Sequence, residues 1–187
     1  MPYIRKLTPA DRPAIRAHLA RLDPESRRRR FGYPITPEAA AAHAEALDFT
    51  DTILLGRIDG GALRGIAEVV PSGTSGTTGE LGLSVEPSWR GQGLGTELTR
   101  RAFTIATNRH LRRVIVMCVA DNVPMQRIAR KLGGYVLTHG QEIEMAVDLP
   151  HPSAWSVAQE NAIHGGGFLG AAFDQWSPGE AKPVGVD

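Results

Sequence analysis

Residues 80–95 read Glu80-Leu-Gly-Leu-Ser-Val-Glu86-Pro-Ser-Trp-Arg90-Gly-Gln-Gly-Leu-Gly95. An alternating stretch over Glu80–Glu86 reads as a strand, and it runs into a turn in which Gly91, Gly93 and Gly95 alternate. A helix over Thr96–Asn108 follows at once, with Leu94, Leu98, Ala102 and Ile105 on one face. Glycines in such a turn let backbone N–H groups approach an anion, and the helix N-terminus adds partial positive charge. Arg90 adds a charge-assisted donor. The combination predicts a phosphate or pyrophosphate site. Two familiar phosphate loops fit poorly. A Walker loop needs Lys after its last glycine, and no Lys follows any of these. A dinucleotide fingerprint needs G-x-G-x-x-G after the first strand of a parallel sheet, whereas the spacing here is G-x-G-x-G.

The pattern on either side of this turn alternates readably. Tyr3–Leu7 is a short strand, and Thr8, Pro9 and Asp11 open a helix carrying Ile15, Leu19 and Leu22. Asp23–Pro24 starts a second helical piece through Arg27–Arg30. Thr36 as N-cap and Pro37 at the first position start an alanine-rich helix to about Leu47. Strands over Thr52–Ile58 and Leu63–Val70 are joined by the hairpin signal Asp59-Gly60-Gly61, and Ser72–Gly79 is a loop. Beyond the glycine turn, Val114–Val119 is an apolar run typical of a strand covered on both faces. Met125, Ile128, Ala129 and Leu132 mark a helix ended by Gly133–Gly134, and Tyr135–Thr138 and Glu142–Leu149 form a closing hairpin. An antiparallel run, then strand–helix–strand–helix, then a hairpin, is a mixed α/β sheet.

Composition narrows the function. The 187 residues carry 42% hydrophobic and 22% charged side chains, which is globular. Lys and Arg total 21, only three of them Lys, yet the net charge is +1, far below the excess of a typical nucleic-acid binder. No apolar run reaches the ~20 residues of a membrane span, and the opening residues lack a secretory pattern. One cysteine excludes an internal disulfide, and six histidines without ligand spacing give no metal site. These are the features of a soluble cytoplasmic domain. Composition shifts near Leu149–Pro150, dividing a domain at 1–149 from an extension at 150–187. The extension is net negative but holds Trp155, Phe168, Phe173 and Trp176, so it is expected to pack on the body or on a second subunit, as in a homodimer.

Arg90-x-x-Gly93-x-Gly95 resembles the [QR]-x-x-G-x-[GA] segment of the GNAT superfamily of acyl-CoA N-acyltransferases. Asp121-Asn122-Val-Pro-Met-Gln-Arg-Ile-Ala-Arg-Lys-Leu-Gly133 resembles that superfamily's second segment, N-x-x-x-x-x-x-(Y)-x-x-x-G. With the element order, the resemblance covers roughly residues 3–148. It implies the GNAT fold, a mixed, mostly antiparallel sheet flanked by helices and splayed between the two strands that hold acyl-CoA. It implies acetyl-CoA as co-substrate, no metal, and a primary amine as acceptor. Pantetheine would bond the backbone near Leu83 and Val85, the pyrophosphate would rest on Arg90, Gly91, Gln92, Gly93, Leu94, Gly95 and Thr96, and Asn122 would contact the pantetheine arm or anchor the cleft. Arg127 and Arg130 would lie near the adenosine end or on a solvated helix face, and Trp89 would wall the cleft.

Amide formation from a thioester needs a base for the ammonium and donors for the oxyanion. Glu80 occupies the position where bacterial Pat-type protein lysine acetyltransferases carry their catalytic glutamate, and Glu68 that where other relatives place a base. A carboxylate in a partly apolar cleft would have its pKa raised, which suits a base. Leu22-Asp-Pro-Glu-Ser-Arg-Arg-Arg-Arg-Phe31 also resembles the Pat-type L-x-P-E-S-x-x-x-R-F segment, which points to a protein lysine, with a small-molecule amine as the alternative. The tyrosine that many relatives place seven residues after the asparagine is Ala129 here, so water is the expected proton donor to the thiolate. The run Arg27–Arg30 reads as a solvated helix face, or as a contact for an acidic partner beside the acceptor groove. Cys118 reads as a buried, inert thiol. A CoA-binding regulatory domain without catalysis is the main competing reading.

Overall fold

The computed structural model of the chain describes residues 3–73 and 76–163. Strands β1 (Tyr3–Lys6), β2 (Ile53–Asp59), β3 (Ala62–Ser72) and β4 (Thr78–Val85) form an antiparallel run. β5 (Arg113–Val119) joins β4 in parallel, while β6 (Tyr135–Thr138) and β7 (Glu142–Asp148) form the closing hairpin. The spatial order is β1-β2-β3-β4-β5-β7-β6, so β7 lies between β5 and β6. Helices α1 (Arg12–Arg21), α2 (Pro24–Phe31) and α3 (Pro37–Ala46) precede β2; α4 (Leu94–Asn108) and α5 (Val123–Lys131) flank β5. A further helix, α6, covers 154–163.

Helix boundaries follow the local chemistry. Thr36 accepts a hydrogen bond from the Ala39 N–H and Pro37 takes the first position of α3, as the sequence predicts. Asp23 caps α2 through the Ser26 N–H, and left-handed Gly32 closes it. α4 begins at Leu94, two residues before the predicted start, because left-handed Gly93 already serves as its N-cap.

Each face of the sheet has its own core. Leu98, Ala102 and Ile105 of α4 pack on Val69, Val114 and Met145. On the opposite face, Ile15, Leu19 and Ala44 of α1 and α3 pack on Leu54, Leu63 and Ile66. That second layer covers β2–β4 better than β5. Val114, Val116 and Cys118 are buried as expected, but Met117 is 53% exposed and Ile115 half-buried. The apolar run of β5 is therefore a one-sided strand rather than a doubly covered one.

The parallel contact between β4 and β5 is short. Thr78↔Arg113, Gly79↔Val114 and Glu80↔Ile115 are paired, and beyond Glu80 the strands part. β4 stays with β3 as far as Val85↔Gly65, while β5 stays with β7 as far as Val119↔Glu142. Each strand thus follows its antiparallel neighbour, and a wedge opens between them.

Past Leu149 the chain returns to the body. Ser153 and Ser156 cap α6 reciprocally, Asn108 of α4 donates to the Ser156 carbonyl and to Glu160, and Ile163 enters the larger core. Trp155 points to solvent. Phe168, Phe173 and Trp176 lie outside the described residues.

Candidate functional site

A cleft of about 410 Å³ opens between β4, the glycine turn and the first turns of α5. Leu83 and Val85 form its strand wall; Arg90, Gly91, Gly93, Leu94, Gly95 and Thr96 form its turn; Asn122 lies across from them. Gln92 departs from this set. Its side chain donates to the Ser88 carbonyl and lines a neighbouring basic hollow with Arg57, Arg100 and Lys131.

The glycines of the turn have distinct tasks. Gly91 and Gly93 hold φ of +74° and +81°, a left-handed backbone that side chains resist. A Cβ on Gly95 would come within 3.0 Å of Ile128 Cδ1 and 3.3 Å of Leu83 Cδ2, so this glycine lets α4, α5 and β4 close together. The first-turn N–H groups of α4 have no intrahelical acceptors, which leaves a row of donors open at the turn. The Arg90 side chain is engaged elsewhere: Nε donates to the Val85 carbonyl at 3.0 Å, and the guanidinium also bonds Ser26. It ties the turn to the end of β4 and to α2. Asn122 is buried and caps α5 by accepting from the Met125 N–H at 3.3 Å.

Neither carboxylate singled out from the sequence lines this cleft. Glu80 is exposed and belongs to the last pair before β4 and β5 part; among the described residues no hydrogen bond or ion pair engages its carboxylate. Glu68 is 5% exposed, and His43 Nε2 lies 3.1 Å from its Oε2, which also bonds Arg30. Burial pushes the Glu68 carboxyl up, but the His43 hydrogen bond and the Arg30 charge outweigh it and hold the group below its ordinary value. The raised pKa expected of a cleft carboxylate is therefore not found at Glu68, because Arg30 and His43 satisfy it. Arg30 connects the two regions: it bonds Glu68 and also lines the cleft.

The arginine run is correspondingly not a solvated face. Arg27 is buried and donates to the Ile35 and Leu22 carbonyls, Arg28 bonds Glu25 and Asp121, Arg29 bonds Glu25, and Arg30 bonds Glu68. Trp89 and Arg127 line the cleft, and Cys118 is buried with its thiol pushed up by that burial. Cleft residues with no single-position signal in the sequence are Ser26, Ser84 and Ile128. Ile128 was legible only as an apolar helix position; Ser84 stands out as the polar residue between Leu83 and Val85. Among the described residues, no group of His, Cys, Asp and Glu could hold a metal, and no helix is long and apolar enough to cross a membrane.

The family described as Acetyltransferase (GNAT) domain matches residues 3–134. No curated protein matches the chain in sequence. Among solved structures, the GNAT domain of S. lividans PAT is 20% identical, with a TM-score of 0.71 over 78% of this chain and 89% of that one. The yncA structure from Salmonella typhimurium, determined with its cofactor acetyl-CoA, is 20% identical, with a TM-score of 0.62 over 82% and 97%. The ribosomal-protein-S18-alanine N-acetyltransferase of Escherichia coli is 17% identical, with a TM-score of 0.62 over 82% and 97%. The likeness to these structures is one of fold, the splayed, mostly antiparallel sheet expected from the sequence.

Proposed function

The chain belongs to the GNAT acetyltransferase family, and on that premise we propose that it moves an acetyl group from acetyl-CoA to a primary amine by direct attack, with Glu80 as general base. The parting of β4 from β5 after Glu80↔Ile115, with the glycine turn beside the freed strand, is the observation that carries this reading. The free edge of β4 offers backbone groups to an extended amide chain, and the turn amides offer donors to a pyrophosphate. The determined yncA structure, which holds acetyl-CoA on the same fold, supports the choice of donor. Acetyl-CoA supplies an activated thioester, and the chain positions it and manages the protons.

Support for Glu80 as base comes from its freedom. It stands exposed at the fork, while Glu68 is already engaged by Arg30 and His43. Glu68 then serves to hold Arg30 at the cleft. Ala129, seven residues past Asn122, is buried in the core, so the leaving thiolate draws its proton from water. The Leu22–Phe31 segment, which resembles that of Pat-type protein lysine acetyltransferases, is consistent with a protein lysine as acceptor. So is the chemistry of the exposed sheet face beside Glu80. Strand pairing puts Val70, Met117, Glu144 and Glu142 on that face, a mixture that suits an aliphatic stem ending in an ammonium.

CoA release from acetyl-CoA in the presence of lysine peptides or small amines tests the reading. Amine-dependent release with an acetylated product is expected. Binding of acetyl-CoA without release for any amine would instead assign the domain to CoA sensing.

A further inference from the structure

Behind the cleft wall runs a polar chain that the proposed chemistry leaves unused. His18 of α1 is fully buried. Its Nδ1 lies 3.1 Å from the Leu63 carbonyl oxygen and 3.5 Å from Glu86 Oε1, and both neighbours are acceptors only. The ring proton therefore belongs on Nδ1, which leaves a lone pair on Nε2. Ser84 Oγ is 2.9 Å from Nε2, so the hydroxyl must donate to the ring. Ser84 is itself buried, stands on β4 between Leu83 and Val85, and lines the cleft. No donor among the described residues bonds its oxygen, whose remaining lone pairs are left for a cleft occupant.

Carboxylate, imidazole and hydroxyl in this order have the form of a nucleophilic relay. The surrounding charges argue against that use. Arg21 and Arg64 bond the Glu86 carboxylate at 2.7 and 3.1 Å and take up its charge. Burial pushes the His18 ring down to about 4, making it a poor acceptor for the Ser84 proton but a fixed partner for it. A hydroxyl whose only proton is committed acts as an oriented acceptor.

We propose that Ser84 is a binding residue that accepts a hydrogen bond from an amide N–H of the acyl carrier's pantetheine arm, and that His18 is the positioning residue that orients it. The inference rests on the acyl-CoA reading of the cleft. It adds a side-chain contact that selects for an amide donor at one depth of the cleft, beside the backbone of Leu83 and Val85.

The test is calorimetric binding of CoA and of adenosine 3′,5′-bisphosphate, which lacks the arm, to the full chain and its variants. Ser84→Ala is expected to weaken CoA by roughly 3- to 12-fold, the usual worth of one hydrogen bond, with the bisphosphate unchanged. His18→Gln, where it folds, should weaken CoA similarly, and adding it to Ser84→Ala should bring no further loss. Equal CoA affinity in wild type and Ser84→Ala overturns the proposal, as does equal weakening of both ligands. An acyl group found on Ser84 by mass spectrometry after incubation with acetyl-CoA also overturns it, in favour of the relay. Failure of the wild type to bind CoA at all refutes the cleft reading itself.

Discussion

Arg30 lies across Gly82: its guanidinium fills the space that a side chain at position 82 would need, and from there it bonds Glu68. The pairing register places Gly82 directly opposite Glu68, so the missing side chain on β4 is what admits the arginine to the carboxylate on β3. Gly82→Ala should displace Arg30 and leave a buried carboxylate with His43 as its main partner. A loss of roughly 1–3 kcal/mol in urea unfolding is expected. Repeating the substitution in an Arg30→Met background should reduce that loss by more than half. An equal loss in both backgrounds would show that the overlap with Arg30 is not the cause.

Glu80→Gln should lower turnover by at least ~100-fold, the lower range for a general base, while acetyl-CoA affinity stays within a factor of two or so. The exposed position of Glu80 means the change should leave thermal stability almost unaltered. Glu68→Gln should act differently, lowering the melting temperature because Arg30 and His43 lose a charged partner. Should Glu68→Gln alone slow turnover at unchanged stability, the base is Glu68.

Gly93→Asp should abolish acetyl-CoA binding, since it sets a carboxylate at the turn amides and strains a backbone at φ +81°. Gly60→Asp provides the control. That hairpin glycine also has positive φ, at +55°, with nothing near its Cβ position, and it is remote from the cleft lining. Calorimetry on the pair separates an effect at the turn from the general effect of an aspartate on a left-handed glycine; matching losses would place the anion site elsewhere.

Acid should weaken the fold before the carboxylates titrate. Burial holds His18 near 4 in the folded chain, against an ordinary 6.5, so the unfolded chain binds the extra proton between those values. Stability is full above about pH 6.5 and falls as pH drops toward 4, by up to roughly 3 kcal/mol. Glu68 and Glu86, held below their ordinary values against the effect of burial by His43 and Arg30 and by Arg21 and Arg64, add losses only below about pH 4.5. Urea midpoints between pH 5 and 7 should slope in the wild type and flatten in His18→Gln. A wild-type curve without slope in that window would refute the buried neutral ring.

Features written in neighbouring residues were legible in the sequence. The Thr36–Pro37 cap, the Asp59-Gly60-Gly61 hairpin and the Gly91–Gly95 turn each need only local geometry, and each is present where the residues place it. What was not legible depends on partners far along the chain. Arg30 finds Glu68 38 positions away and Arg28 finds Asp121 93 positions away, so four consecutive arginines read as a solvated surface. Nothing near Ser84 announces His18, 66 residues earlier. The apolar run of β5 misled for a related reason: periodicity reports side-chain type, whereas the coverage of Met117, which is exposed, depends on packing from distant parts of the chain. Ile163 shows the same limit, since its place in the core is set by the docking of α6 on α4 through Asn108.

The three residue pairs between β4 and β5 also make this sheet two panels, β1–β4 and β5–β7, stitched along one short seam. Near that seam cohesion comes from α4 and the shared core beneath; farther along, the ladder is interrupted. An extended ligand seated there would act as a splice, lending its own amides to a ladder the chain does not finish. Affinity and rigidity would then be gained together, with the panels held most firmly at the moment the reacting groups are aligned.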